Sequence, residues 1–186
     1  MYRKNTCGTF LFADKLINHT KLPIISVVMI LKRYIKRDKS PGDTLFEIFD
    51  ELGNELYYFS KTKNSYILTG VNGQKLLKIK ELPFPKLCAY SISTADNNIK
   101  FFMNPQKNNS YFYGTAWQIR GDVFSGSFDI IGADNSLVCS REKSFMDGRS
   151  CCMLDIKAEH SELLCLGTAI CAQLHAKIEN LCVQTV

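Results

Sequence analysis

Hydrophobic and polar residues alternate along most of the chain between residues 44 and 157. The segments TLFEIFD, SYILTG and QKLLKIKE show this clearly, and a period of two is typical of β-strands that bury one face. Gly, Asn, Asp, Pro and Ser occupy the intervals, and Asn72-Gly73 is a strong hairpin signal. The pattern predicts about ten short strands at the spacing of an antiparallel sandwich or barrel.

The segment HSELLCLGTAICAQLHAKI (160–178) has a different pattern. Almost every residue from Leu163 to Leu174 is apolar or small, and no polar stripe follows any helical face. This composition predicts a helix at 159–177 that is buried on every side, and the apolar run is shorter than the roughly 20 residues needed to span a bilayer. The fold class that satisfies both patterns is mainly β, a closed antiparallel β-barrel that encloses a hydrophobic C-terminal α-helix.

Two segments of the strand region resemble each other. YILTGVNGQKLLKIKE (66–81) and FDIIGADNSLVCSREK (128–143) share an aromatic start, an apolar triplet, a glycine, a turn pair and a charged end. Their separation suits a duplicated half-barrel, so the barrel is predicted to be pseudo-duplicated.

Composition narrows the classes of function. The 186-residue chain has a formal net charge of +5 and an isoelectric point near 8.7, below the value of about 9 that marks nucleic-acid-binding domains. No nucleic-acid partner is therefore expected. Eight cysteines occur without a C-x-x-C pair, and three histidines complete no zinc pattern. Free thiols favour a reducing compartment, so the protein is predicted to be cytoplasmic.

Five segments resemble, in order, parts of the LURP-one-related proteins, a group of the tubby C-terminal-like family that is distantly similar to the phospholipid scramblases. These segments are YIKR (34–37), LFEIFDELGNELYYFS (45–60), YILTGVNGQKLLKIKELPF (66–84), AWQIRGDVFSGSFDIIGADNSLVCSREKSF (116–145) and CCMLDIKAEHSELLCLGTAICAQLHA (151–176). The resemblance covers most of the chain and implies a closed antiparallel β-barrel of about 12 strands around one hydrophobic helix. It divides the chain into an N-terminal extension, 1–28, and a barrel domain, 29–186.

The resemblance also implies a function. Tubby domains bind phosphoinositides, so the chain is expected to be a non-enzymatic protein that binds a phosphoinositide or an anionic membrane surface and is peripheral at the membrane. It implies no cofactor and no metal, and it names no protein partner. Two alternatives are a scramblase-like membrane protein whose helix inserts into lipid, and a soluble protein-interaction scaffold.

A basic cluster supplies the candidate lipid-binding residues. LKRYIKRDK places Lys32, Arg33, Lys36 and Arg37 close together, followed by Lys39. Basic residues near an anionic leaflet each contribute about 1 kcal/mol to membrane binding. The alternative is a solvated edge strand whose Lys and Arg side chains block pairing with other chains.

Other chemistry-bearing residues have structural interpretations. Cys151, Cys152 and His160 could suggest a thiol nucleophile and base, but adjacent strand residues point to opposite faces and no orienting third group is evident. No catalytic residue is therefore predicted. Turn, helix-start and packing roles are expected for Asp134, Glu142, Asp155, Glu159, Glu162 and Trp117, and a helix-dipole role near the helix end for His175.

Overall fold

The computed structural model describes residues 29–38, 42–157 and 160–182, with side chains as far as His175. The predicted extension 1–28, Lys39 and Glu159 lie outside the described residues. The strands are β1 Ile30–Arg37, β2 Thr44–Phe49, β3 Glu55–Lys61, β4 Tyr66–Gly70, β5 Lys75–Leu82, β6 Cys88–Ser93, β7 Asn98–Asn104, β8 Asn109–Tyr113, β9 Gln118–Asp122, β10 Ser127–Ile131, β11 Leu137–Met146 and β12 Arg149–Lys157. A 3₁₀ turn at Pro105–Lys107 and the helix α1, Glu162–Cys182, complete the described fold.

The twelve strands form one antiparallel sheet in the order β8-β7-β6-β5-β4-β3-β2-β1-β12-β11-β10-β9. Strands that are neighbours in sequence pair with each other except β8 and β9, and the pairing of β1 with β12 joins the first strand to the last. The prediction of a mainly β, twelve-stranded antiparallel barrel is thereby confirmed.

The barrel is nearly but not fully closed, because β8 and β9, at the two ends of the strand order, do not pair with each other. Residues 114–117 connect these strands, and Gly114 has a φ of +87°. Aromatic packing covers the seam: the rings of Phe112 and Trp117 meet edge to face with centroids 5.9 Å apart. Trp117 therefore has the packing role that the sequence predicted.

Helix α1 lies inside the barrel. Residues on every side of its first three turns are buried, namely Leu164, Cys165, Leu166, Thr168, Ala169, Ile170, Cys171 and Ala172. The strands supply the other half of the core through side chains such as Ile79, Ile92 and Phe101. The helix begins three residues later than predicted, at Glu162, and continues to Cys182. The all-apolar pattern thus has its physical reason in a wall of strands around the helix.

Gly167 lies where the helix packs closely against β5 and β6. A Cβ atom at this position would lie 2.7 Å from Cγ2 of Ile92 on β6 and 3.1 Å from Cδ1 of Leu77 on β5. The small residue that weakens helix propensity is the one that lets the sheet approach.

The two similar segments form the β4–β5 and β10–β11 hairpins, six strands apart in chain order. In both, a glycine N–H donates to the carbonyl four residues later at 2.9 Å, from Gly70 to Gln74 and from Gly132 to Ser136. The β2–β3 hairpin closes in the same way from Asp50 to Asn54 at 3.0 Å. The shared turn fits a duplication but also occurs outside the two similar segments, so the duplication stays a prediction.

Candidate functional site

The four predicted lipid-binding residues lie on β1 and alternate between its faces. Lys32 and Lys36 lie on the outer face, whereas Arg33 and Arg37 share the inner face with the buried Ile35. β1 is paired on both sides, with β2 and with β12. The alternative interpretation of this segment as an edge strand is therefore wrong, because the barrel brings β12 against it.

Three of the four residues have carboxylate partners. Lys32 lies 3.6 Å from Asp155 of β12, and Lys36 pairs with Asp147 in the turn between β11 and β12. Arg33 pairs with Glu162 in the first turn of α1. These ion pairs lie towards opposite ends of β1, so basic residues that are close in sequence have different surroundings in the fold.

Tyr57 adds to the Arg33–Glu162 pair, since its hydroxyl donates to the Glu162 carboxylate at 3.3 Å. Burial, and then the charge of Glu162, raise the pKa of Tyr57. The predicted helix-start role of Glu162 is joined by a second role, which is to tie the helix to β1 and β3.

Arg37, the fourth predicted residue, makes no ion pair within the described part of the chain. It lines a cavity of about 380 Å³ at the end of the barrel where β1 ends and β12 begins, called here the mouth cavity. The cavity is lined by Ile35, Arg37, Phe124, Ser125, Gly126, Arg141, Lys143, Ser150, Cys151, Cys152 and Gln173. Three of these side chains are basic and none is acidic, so the mouth cavity carries positive charge.

Arg141 is the buried member of this group. Only 4% of it is exposed, and its guanidinium donates to the carbonyl of Gly126 and to the side chain of Gln173. The guanidinium also lies over the ring of Phe128, 5.6 Å from the centroid. No carboxylate pairs with it among the described residues, and its Nε–H has no hydrogen-bond partner there. Buried charges are normally paired, so Arg141 is an exception that needs an explanation.

Gly126 permits this arrangement. Its φ of +85° favours glycine, and a Cβ atom there would lie 2.8 Å from Nη1 of Arg141. A side chain at this turn would thus displace the guanidinium from the backbone that holds it.

The long β11–β12 hairpin extends from the mouth cavity. Phe145 near its tip is 76% exposed, with Lys143 and Arg149 also exposed on the same hairpin. Register places Phe145 opposite Ser150 and Lys143 opposite Cys152. Phe145 and Lys143 therefore project from one face of this hairpin, and Arg149, which pairs with Met146, projects from the other.

Sequence reasoning missed Arg141 and Lys143, although a signal was present. Cys139, Arg141 and Lys143 alternate along β11 on the face whose partners in β12 are the buried Ile156, Leu154 and Cys152. A charged residue at an inward position of an alternating strand is a departure from the pattern, and such departures concentrate at functional sites.

The structure does not bring the predicted thiol candidates together with a base. Cys151 and Cys152 lie at the start of β12, and His160 follows the end of that strand, which is about 3.3 Å long per residue. Burial raises the pKa of Cys151 and raises that of Cys152 to about 11. A reactive thiol needs a lowered pKa, so both are better described as structural cysteines.

A different cysteine and histidine do meet. Sγ of Cys88 lies 3.0 Å from Nδ1 of His175, and Phe124 packs edge to face on the imidazole with centroids 5.4 Å apart. Cys88 and His175 are far apart in sequence, which is why spacing does not reveal the pair. The predicted position of His175 near the helix end is wrong, because α1 continues to Cys182.

Within the described residues, no group of three His, Cys, Asp or Glu side chains could hold a metal ion. Asp134 accepts the Ser136 N–H at 3.0 Å, in the turn role predicted for it. The helices in the described part of the chain include none with the length and apolarity required to cross a membrane.

Comparison with known proteins now adds to this geometry. The sequence model of the LURP-one-related family matches residues 32–173, which is most of the chain. The chain belongs to the LURP-one-related family. The family match includes the β1 cluster, strands β2 to β12 and the buried turns of α1.

A solved structure supports the fold of this LURP-one-related chain. An X-ray structure of a protein from Arabidopsis thaliana is similar with a TM-score of 0.53 and 12% sequence identity, and the match covers 78% of this chain and 91% of that one. At this identity the likeness concerns the fold alone. No curated protein matches the sequence significantly.

Proposed function

We propose that this LURP-one-related protein is a non-catalytic, cytoplasmic protein that binds anionic phospholipid surfaces peripherally. The contact is made by the barrel mouth, which is the end of the barrel that contains the mouth cavity and the tip of the β11–β12 hairpin. The observation that carries the proposal is the combination of exposed Phe145 with Arg37, Lys143 and Arg149 at one end of the barrel. None of these three basic side chains makes an ion pair within the described residues. An apolar tip with unpaired cations around it suits an anionic interface.

The predicted cluster contributes unequally to this surface. Arg37 belongs to the mouth, and Lys36 lies nearby with its partner Asp147. Arg33 is held by Glu162 and Lys32 by Asp155, towards the other end of β1. A carboxylate partner reduces the attraction of a cation to an anionic surface, so we expect Arg37 to contribute most.

Vesicle flotation of the full 186-residue chain tests the proposal. Vesicles of neutral phosphatidylcholine are compared with vesicles that also contain phosphatidylserine or a phosphoinositide, at low and high salt. We expect binding that requires anionic lipid and that salt weakens. Binding that resists salt would instead support the scramblase-like alternative, in which α1 leaves the barrel and enters lipid. No binding to any vesicle would contradict the proposal and favour the interaction scaffold.

Charge variants locate the surface. The mouth variant, Arg37→Gln/Lys143→Gln/Arg149→Gln, removes about 1 kcal/mol per residue, which corresponds to a loss of roughly a hundredfold in affinity. A β1 variant, Lys32→Gln/Lys36→Gln, tests the two outer-face members of the predicted cluster and should weaken binding less. Equal losses in both variants would mean that β1 as a whole forms the contact.

The outer face of β5–β7 offers a matched control. Lys78, Lys80 and Lys100 are exposed there and make no ion pairs within the described residues. Lys80 and Lys100 flank Ser91 in register across these three strands. Lys78→Gln/Lys80→Gln/Lys100→Gln removes the same charge as the mouth variant. If this control lost as much binding, net charge rather than the barrel mouth would determine the affinity.

A further inference from the structure

The mouth cavity contains a buried cation that no described carboxylate neutralises, and this is the starting observation. Arg141 is 96% buried, since 4% of it is exposed. Its two described acceptors, the Gly126 carbonyl and the Gln173 side chain, are both uncharged. Removing an arginine from water without a counter-charge costs several kcal/mol, so a buried ion normally has a partner of opposite charge.

The position of the guanidinium identifies where that partner would be. Gly126, Gln173 and Arg141 all line the mouth cavity, so the group lies at the cavity wall together with both of its acceptors. Guanidinium carries five N–H donors, of which these two hydrogen bonds use two. At least the Nε–H is left without a partner. Donors therefore remain for a ligand that accepts several hydrogen bonds.

The rest of the lining matches an anion. Arg37 and Lys143 add two cations that have no described ion pair, and Ser150 adds a hydroxyl group, whereas the hydroxyl of Ser125 already donates to the Asp122 carbonyl at 2.9 Å. A volume of about 380 Å³ lies within the usual range for small-molecule sites. Arginine forks together with lysine and serine are the side chains that recognise phosphate groups in proteins.

We propose that the mouth cavity binds a phosphate-bearing anion, with Arg141 as its buried anchor and Arg37 and Lys143 at its rim. This inference deepens the proposed function, since a phospholipid headgroup is one source of such a phosphate. A free phosphate compound is the other source. Both sources present the same chemical group to the site, a phosphate whose negatively charged oxygens accept several hydrogen bonds.

Calorimetric titration and thermal unfolding of the full chain test this site without a membrane. Inorganic phosphate represents the free source and inositol 1,4,5-trisphosphate the headgroup source, each compared with sodium chloride at equal ionic strength. We expect saturable binding and a rise in Tm with at least one phosphate probe beyond the effect of chloride, because a ligand stabilises the state that it binds. A response to inorganic phosphate identifies free phosphate as sufficient, and a response to the trisphosphate alone identifies the headgroup. Wild-type protein that responds to neither would overturn the inference.

Arg141→Met separates a ligand anchor from a structural arginine. Methionine fills a similar volume and removes the uncompensated charge, and such replacements are often neutral or stabilising. We expect this variant to fold in phosphate-free buffer with a Tm at or above that of wild type, and to lose at least about tenfold in phosphate affinity. Wild-type affinity in the folded variant would overturn the inference.

Rim variants keep the test informative if Arg141→Met does not fold. Arg37→Gln and Lys143→Gln alter exposed side chains and should each weaken phosphate binding by about three- to tenfold. Lys80→Gln on the outer face of β5 should change it less than about twofold. Rim variants that bind like Lys80→Gln would also overturn the inference.

Two further outcomes distinguish the inference from the proposed function. Phosphate binding without vesicle binding would leave the cavity in place and reject the membrane role. If Arg141→Met left both vesicle binding and phosphate affinity unchanged, the membrane role would stand and the cavity site would be rejected. Glu179 is the acidic residue of the segment 176–186, whose side chains are not described. Glu179→Gln therefore tests whether a carboxylate of the chain itself is the counter-ion of Arg141. If phosphate bound only to that variant, the chain's own carboxylate would be the partner of Arg141 and the inference would fail.

Discussion

Gly167 provides a sharp test of how the helix packs in the barrel, because two effects of opposite sign meet at this residue. Alanine in place of glycine within a helix stabilises by about 1 kcal/mol through propensity. A Cβ atom at this position, however, would lie 2.7 Å from Cγ2 of Ile92 and 3.1 Å from Cδ1 of Leu77. Carbon atoms in favourable contact are about 3.5–4.0 Å apart, so Ile92 or the helix would have to move by nearly an ångström.

The packing effect should dominate. Ile92 is fully buried, its strand is paired on both sides, and a β-branched side chain has little freedom at χ1. Overpacking of this kind costs about 1–3 kcal/mol. After the gain in propensity is subtracted, Gly167→Ala should lower the free energy of unfolding by about 1 kcal/mol.

Urea unfolding followed by far-UV circular dichroism measures the effect, with a double-mutant cycle to identify its cause. Ile92→Ala removes the nearer of the two atoms that the new Cβ would meet and leaves the flexible end of Leu77, so Gly167→Ala should be stabilising by up to about 1 kcal/mol in that background. Gly42→Ala is the control, because nothing lies within 4 Å of a Cβ there and it should change stability by less than about 0.5 kcal/mol. A Gly167→Ala protein more stable than wild type would refute the packing of α1 against β6.

Three further predictions concern other parts of the barrel. Hydrogen bonds from Asn54 lower the pKa of Asp50. This carboxylate therefore stabilises the fold above its unfolded pKa of about 3.9, and the stabilisation is lost as the pH falls through the lower pKa of the folded state. Asp50→Asn should make the urea midpoint less sensitive to acid. Among the cysteines whose side chains the structure describes, Cys88 is half-buried and the others are buried. Of these, Cys88 should be modified first by a thiol reagent, as detected by mass spectrometry, and His175→Gln should change its rate of modification. Earlier labelling of one of the buried cysteines would contradict this. Trp117→Leu removes the ring contact at the β8–β9 seam and should lower stability by about 1–2 kcal/mol, with faster amide exchange in those two strands than in the rest of the sheet.

The fold was largely predictable from local patterns. Alternation along most of the strands indicates which of their residues face the core, and the all-apolar composition of the helix indicates that it is buried on every side. A helix without a polar face also requires a surrounding partner, and a closed antiparallel sheet supplies one. The position of the helix end was not predictable in this way, because the segment after His175 lacks a terminating proline or glycine.

The candidate site was predictable only in part. Arg37 stood out in the sequence because of the basic residues beside it, yet those neighbours are bound to Asp155, Glu162 and Asp147 in the fold. The sequence shows which basic residues are present, but it does not show which carboxylates pair with them in the fold. The position of Arg141 away from every described carboxylate is equally a property of the packing, since it depends on the Gly126 turn and on Gln173 of the helix.

The sequence by itself determined that this chain forms short antiparallel strands around a buried helix, since those features follow from period and composition over neighbouring residues. Only the tertiary structure decided that β1 pairs with β12, which brings Arg37 beside Arg141 and Lys143 around one cavity. The physical reason is that alternation specifies the face of a residue, whereas strand order and register specify its neighbours. A binding site is made of neighbours, so it becomes visible when the barrel closes its first strand on its last.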